Sequence, residues 1–309
     1  MPVVVTGAAG FIGRHTVAAL EAAGHDVIGV DRHRSPAQTT LVHDLVTRHD
    51  DVSAALQEAD AVIHLAGRPG VRDDARDIEA RRWHDNVLAG EAVLADTPAS
   101  TPLVVASSSS VYGGAQAGPD GWQPCHEDQQ LAPRGGYAAS KAALEDRCAA
   151  RRAAGGHVTV VRPFTVAGEQ QRPDMALQIW IEQARRGVPF TVLGSRDRRR
   201  DVTDVNDVVA GLLAGMTLST ATTINLGTGT THSLHAMTRA VADVLGVPHR
   251  IDLQHANDVE VPVTRADTTR CEHLLGVTPI TDLHDLVRRQ ATADASETSH
   301  LPIRLPEPA

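Results

Sequence analysis

The chain is poor in aromatic residues, with three Phe, two Tyr and three Trp in 309 positions. Few rings are therefore available on which the bases of a single-stranded nucleic acid would stack. It also lacks a positive excess: the formal net charge is −9 and the isoelectric point about 5.9. That argues against any nucleic-acid surface. Cysteine is scarce, and Cys125, Cys148 and Cys271 are odd in number and far apart. Such a set builds neither a disulfide framework nor a zinc ribbon and points to a reducing compartment. No apolar run reaches membrane-spanning length. A first strand beginning at Val3 leaves no room for a signal peptide, so a cytoplasmic home is expected. Histidine is abundant at 16, yet H-E-x-x-H is missing. The nearest pair, His232 and His235, is explained by a helix starting at Ser233, and no metal is expected.

What is present begins at the N-terminus. Val3-Val4-Val5 reads as a buried strand and runs into Thr6-Gly7-Ala8-Ala9-Gly10-Phe11-Ile12-Gly13. A helical pattern follows through Val17, Ala18 and Leu20, stopped by Gly24. Strand, glycine turn and helix form the context of a dinucleotide fingerprint. Gly7 permits the tight turn, Gly10 admits a pyrophosphate close to backbone, and Gly13 lets helix pack on sheet. The N–H groups at the helix start, around Phe11 and Ile12, then face the phosphates. A second strand, Asp26 to Val30, ends at Asp31. An acid there binds the ribose hydroxyls of NAD and repels the extra phosphate of NADP, whereas the cation of Arg32 would accept that phosphate. The balance favours NAD.

Two further stretches carry chemistry. Leu103-Val104-Val105-Ala106 reads as a strand leading into Ser107-Ser108-Ser109-Ser110-Val111-Tyr112-Gly113. Hydroxyls at the carboxyl end of a parallel strand lie at the crevice where open α/β sheets bind ligands. Tyr137 and Lys141 are four apart and share a helix face. A nearby ammonium favours the phenolate, so the spacing predicts a tyrosine pKa below its ordinary value and a proton-transfer role.

Strands and helices alternate through the first half. A third strand is expected over Leu41 to Leu45, a helix over Val52 to Ala59 and a fourth strand over Ala61 to Ala66. Helices follow over Arg81 to Leu94 and Tyr137 to Ala154, with a strand over Val158 to Val161. The alternation predicts an α/β fold, a Rossmann-like doubly wound parallel sheet. After Arg162-Pro163 the regularity changes and a smaller C-terminal substrate-binding lobe is expected. It carries helices over Met175 to Arg186, Asp204 to Met216 (capped by Asp204) and Ser233 to Leu245. The expected division is 1–165 for the NAD-binding domain, with segments around 201–230 returning to it, 166–290 for the lobe, and a frayed polar tail from 291.

Glycine turn, serine strand end and Tyr-x-x-x-Lys in this order resemble the extended short-chain dehydrogenase/reductases. More narrowly, they resemble the nucleotide-sugar epimerases and dehydratases, and the resemblance spans about 3–285. Asp44-Leu45 resembles the adenine-contacting Asp-Leu of that family. His64-Leu65-Ala66-Gly67 resembles its fourth-strand motif, and Asn86 its structural asparagine. Arg200-Asp201 resembles the pair that reaches the sugar-nucleotide diphosphate, and Arg265-Ala266-Asp267 with Leu275-Gly276 the C-terminal signature. The resemblance implies that Tyr137 is the acid or base and that Lys141 orients the nicotinamide ribose. It makes Ser108 the partner of the reacting hydroxyl and sets Ser109 and Ser110 on the substrate. Dehydratases of the family carry an acid next to the position of Ser108; Ser109 and Ser110 cannot do that work, so a simple oxidation and re-reduction is favoured. Gly70-Val71-Arg72 and Gln171-Arg172-Pro173-Asp174-Met175-Ala176 resemble UDP-glucuronate 4-epimerases, with Arg172 as the clamp for a uronate carboxylate. Thr165 departs from the usual asparagine on the nucleotide side, and Asp73 and Asp74 from the usual neutral residues.

The implied activity is an NAD-dependent nucleotide-sugar 4-epimerase acting on a UDP-sugar. Carbon 4 would be oxidised, the keto-sugar turned over in the site, and hydride returned to its other face. A 4-keto-sugar reductase would use the same residues with an exchanging cofactor. A non-catalytic dinucleotide-binding protein would keep the fold alone. A homodimer through the helices holding Asn86 and Tyr137 is implied as well.

Overall fold

The computed structural model describes residues 2–70, 75–119, 121–256 and 260–297. The sheet is laid out around β1 (Pro2–Thr6). Its three valines are wholly buried, and their branched Cβ atoms favour extended backbone. Successive side chains point to opposite faces. Val3 and Val5 enter the core under α1 (Phe11–Ala22), and Val4 enters the core on the other face. Each such burial contributes roughly 1.5–3 kcal/mol.

On one side of β1 lie β2 (Asp26–Asp31) and β3 (Thr39–Val42). On the other side come β4 (Ala61–His64), β5 (Leu103–Ala106) and the strands Val158–Pro163 and Thr223–Leu226. All seven strands are parallel. Parallel neighbours need long crossovers, and helices supply them on both faces. α1 and the helix Val205–Met216 bury Leu20, Val208 and Leu212 on one face. α2 (Asp50–Glu58), α3 (Ile78–Arg82), α4 (Ala89–Asp96) and α5 (Gly135–Ala153) belong to the other, where Leu56, Val93 and Leu144 are buried. Strand order reverses beside β1, which opens a crevice at the carboxyl ends of β1 and β4.

A second core lies outside the sheet. The helices Ala176–Arg185, Leu234–Leu245 and Leu283–Glu297 enclose Trp180, Ile181, Val241, Leu286 and Val287. Two caps expected from sequence are in place. Asp204 accepts from Asn206 N at 2.9 Å, and Ser233 from Ala236 N at 3.0 Å.

Three expected elements differ. The third strand covers Thr39–Val42 rather than Leu41 to Leu45. Asp44 accepts from Val46 N at 3.0 Å and turns the chain there. The helix expected over Arg81 to Leu94 starts at Ile78 and passes through a π-helical segment, Trp83–Leu88, before α4. The tail expected from 291 is still helical to Glu297. Ala291 is buried on the lobe and its carbonyl accepts from Arg185 Nη2 at 2.7 Å.

Candidate active site

Gly7 leaves β1 at φ +71°, a conformation that glycine adopts without strain, and donates to Val30 O at 2.8 Å. A Cβ on Gly7 would lie 2.6 Å from Ala66 N, and one on Gly13 would lie 2.1 Å from Gly7 O. The turn therefore packs directly on the Leu65–Gly67 segment beyond β4, and α1 sits directly on the turn. Gly10 is the cap of α1, which has no side-chain cap and no acid in its first turn. A helix start of this kind presents N–H groups to an anion. Asp31 closes the cradle: its carboxylate accepts from Ala9 N at 3.1 Å and His33 N at 3.0 Å. A glycine cradle that Cβ atoms would fill, next to a carboxylate, fits a dinucleotide.

Arg32 is exposed beside this cradle, but its fork is already engaged. It holds both oxygens of buried Asp85, at 3.2 and 3.0 Å, and lies 3.6 Å from Asp44. The Asp85 carboxylate raises its pKa. Arg68 Nε donates to the same carboxylate at 2.9 Å. Asp44 thus meets Arg32 and its own turn, while Leu45 packs against the core behind the sheet. Neither Arg68 nor Asp85 was singled out by sequence.

The π-helical segment sets Asn86 between two loops. A π turn takes in one more residue than an α turn and shifts the helix face. Asn86 Oδ1 accepts from Arg68 N at 2.7 Å, and Nδ2 donates to Ser140 Oγ at 2.8 Å. Ser140 Oγ in turn donates to Tyr137 O at 2.8 Å. Asn86 therefore fastens α5, with its Tyr137 and Lys141, to the segment that carries Gly67. Lys141 is buried and donates to Ala106 O, at the end of β5, at 2.9 Å. Burial lowers its pKa to about 8, with Cys148 and Glu145 opposing. Beside it His64 is buried and kept neutral, its pKa lowered to about 3 by burial and by Lys141.

The hydroxyl of Ser108 lies close enough to Tyr137 to favour its phenolate. The expected depression of the tyrosine pKa is not found. Burial raises it, and the nearby Ser108 hydroxyl and the charges of Arg172 and Arg82 only partly offset this. Spacing alone identifies the lysine but not the desolvation. Ser108 also accepts from Ser110 N at 3.2 Å, which winds Ser109–Tyr112 into a 3₁₀ turn. Ser110 Oγ is buried and has no hydrogen-bond partner among the described residues.

Under the serine strand end lies a polar network that the sequence did not announce. Ser107 Oγ donates to Glu145, and Glu145 also accepts from Arg162 Nε at 2.9 Å. Arg162 Nη1 donates to Tyr112 Oη at 2.8 Å, and Tyr112 donates to Asn225 Oδ1 at 2.6 Å. Asn225 N reaches Glu127 Oε1 at 2.9 Å. All six residues are buried, and the chain of bonds runs from α5 across three strand ends.

The substrate-side residues are more dispersed. Arg172 holds Asp174 with Nε at 2.9 Å and with Nη2. Arg200 donates to Glu260 at 2.9 Å and to Arg199 O at 2.9 Å. Arg265 donates to Gly229 O at 3.0 Å and Trp122 O at 3.2 Å. Asp201, expected beside Arg200 at a diphosphate, is instead wholly buried and accepts from Thr228 N, Gly229 N and Ala266 N, each at 2.9 Å. Thr165 N donates to Asp201 O at 3.0 Å and is half-buried. Arg72, Asp73 and Asp74 lie outside the described residues.

The chain is similar to proteins of known class. A UDP-glucose epimerase of Bacillus subtilis, YtcB, named as uncharacterized, is 30% identical, covering 92% of this chain and 95% of that protein. The UDP-glucuronate 4-epimerase of Thermodesulfobacterium geofontis is 28% identical, over 93% of this chain and 94% of its own. Among solved structures, MoeE5 in complex with UDP-glucuronic acid and NAD superposes with a TM-score of 0.87 at 31% identity, covering 96% of this chain and all (100%) of that one. The description that matches residues 3–227 is the NAD dependent epimerase/dehydratase family, and the chain belongs to it.

Proposed function

We propose that the chain is an NAD-dependent nucleotide-sugar 4-epimerase whose substrate is UDP-glucuronate. The observation that carries the reading is the Ser108–Tyr137 hydroxyl pair at the end of β5, with Lys141 behind it and serines where a dehydratase needs an acid. Gly7, Gly10, Gly13, the start of α1 and Asp31 would hold NAD. When bound, NAD supplies a reversible hydride acceptor for a sugar carbon. Tyr137 takes the proton of the 4-hydroxyl and later gives one back, and its raised pKa suits the return step. Ser108 orients that hydroxyl. Lys141, held by Ala106 O, fixes the ribose side. Ser110, with its buried Oγ unfilled among the described residues, is suited to a sugar hydroxyl.

Arg172 is the carboxylate clamp; its fork already takes a carboxylate, that of Asp174. Arg200, Arg265 and Thr165 belong to the diphosphate and nucleotide side. Residues 1–165, with the returning stretch around 201–230, form the cofactor half, and 166–290 the sugar-nucleotide lobe. The protein is a homodimer through the helices holding Asn86 and Tyr137, a face on which Trp83 is 46% exposed. Among the described residues no helix is long and apolar enough to cross a membrane. The three cysteines are free and buried, in keeping with a cytoplasmic home.

The test is to incubate the purified protein with UDP-glucuronate and no added cofactor, and to follow the sugar by NMR. A mixture of the two C4 epimers is expected, with NAD released on denaturation. No epimer from UDP-glucuronate, but stoichiometric oxidation of added NADH with a nucleotide 4-keto-sugar, would replace the epimerase by the reductase.

A further inference from the structure

Sequence leaves one conflict at the cofactor cradle. Asp31 suits NAD, but Arg32 next to it is the kind of cation that accepts the 2′-phosphate of NADP. The structure supplies a third residue that bears on this. Arg32 turns its fork onto Asp85, with Nη1–Oδ1 at 3.2 Å and Nη2–Oδ2 at 3.0 Å. Asp85 is only 5% exposed and comes from the π-helical segment, far along the chain. It is held there by Arg68 Nε at 2.9 Å and by His84 Nδ1 at 3.0 Å. Arg32 is also within 3.6 Å of Asp44. A planar guanidinium spends its paired donors in one such contact.

We infer that Asp85 sets the preference for NAD by holding Arg32 away from the ribose 2′-position, a role that rests on the NAD reading above. The charge around the cradle agrees. Asp85 pairs with Arg32 and Arg68, Asp44 lies 3.6 Å from Arg32, and Asp31 is within its electrostatic reach, so three carboxylates meet these two guanidiniums where a 2′-phosphate would bring two more negative charges. Asp31 cannot turn aside, since both its oxygens hold backbone N–H groups. Asp85 touches no cofactor in this scheme. It is a positioning residue that acts through Arg32, and it is the residue before Asn86, so the same turn both fastens the site and orients its selector.

The experiment incubates purified protein with a large, equal excess of isotope-labelled NAD⁺ and NADP⁺, washes it, and quantifies the labelled and carried nucleotides released on denaturation, the ratio being taken from the labelled ones. Asp85→Asn should raise the bound NADP⁺ to NAD⁺ ratio about tenfold, the scale of one charge-assisted contact regained. Adding Arg32→Ala to Asp85→Asn should return the ratio to that of wild type, a reversal that a merely structural role would not give. Arg32→Ala alone should change the ratio by less than about twofold, because a held arginine does not reach the phosphate. An unchanged ratio in folded Asp85→Asn overturns the inference. So does a tenfold loss of bound NADP⁺ in Arg32→Ala alone, an arm that decides even if Asp85→Asn fails to fold. Wild type that releases neither nucleotide on denaturation, whether carried through purification or added, overturns the cofactor reading and this inference together.

Discussion

Arg162 and Arg172 each close a two-pronged contact on a carboxylate of this chain, yet the two contacts lie in opposite surroundings. The Arg162 and Glu145 side chains are 5% and 9% exposed, and the remaining donors of Arg162 go to Tyr112 and to Glu127 O. The Arg172 and Asp174 side chains are 31% and 61% exposed. Water screens the second pair and not the first. The buried pair is therefore committed: removing either member strands a charge. The exposed pair is the less committed of the two, and a ligand carboxylate is proposed to take the place of Asp174. One arginine braces the strand end that carries Ser108; the other is the one proposed to serve a substrate.

The brace breaks with the largest effect. Glu145→Gln leaves Arg162 charged and without its partner inside the protein. Breaking a buried pair in this way costs about 3–5 kcal/mol. Thermal unfolding should shift down by several degrees, with activity falling as the Ser107–Ser110 turn loosens. A melting curve unchanged from wild type would show that the network is not a brace. Next in size is Tyr137→Phe, at the point where the two regions meet. The ring and its packing remain, so stability and retained NAD should stay at wild-type levels. Turnover should fall by about a hundredfold or more, the range for general acid–base groups. The pair of variants separates holding from reacting: one moves the melting curve, the other only the rate. Near-normal turnover of Tyr137→Phe would remove the proton-transfer role.

How much of this was legible in the sequence follows the same division. The glycine turn, the caps at Asp204 and Ser233, and the Ser-Tyr-Lys order are local patterns, set by neighbours within a few positions. The brace is not local. Arg162 meets Glu145 across 17 positions, Tyr112 across 50, and Tyr112 meets Asn225 across 113. No period or spacing links them, and Arg162 read only as the place where the regular alternation ends. The π segment was hidden too, because an inserted residue leaves the apolar pattern on either side intact. The sign of the tyrosine pKa shift is not legible in the sequence either, because spacing gives Lys141 but not the burial that dominates.

The exchangeable arginine is broken by Arg172→Ala. With UDP-glucuronate the variant loses a charge-assisted contact of roughly 1.5–3 kcal/mol, about ten- to a hundredfold in kcat/KM. UDP-glucose, which has no carboxylate, should lose little, and lysine at this position should restore only part. Equal loss with both sugars would assign Arg172 to the diphosphate or to its own loop.

The smallest effect runs the other way and is the sharpest test of exchange. Asp174 occupies the fork that the uronate is proposed to use, so it competes with the substrate. An exposed pair of this kind is worth about 0–1 kcal/mol. Asp174→Asn keeps the shape and removes the charge. It should therefore lower the KM for UDP-glucuronate by at most about fivefold, the same free energy expressed as affinity. Because Asp174 is mostly exposed, the melting curve should not move. UDP-glucose should be unaffected, since it never displaced Asp174. The sign is what matters: Arg172→Ala and Asp174→Asn should change uronate affinity in opposite directions. If both weaken it, Asp174 is positioning Arg172 rather than competing for it, and the outer arginine is a brace like the inner one.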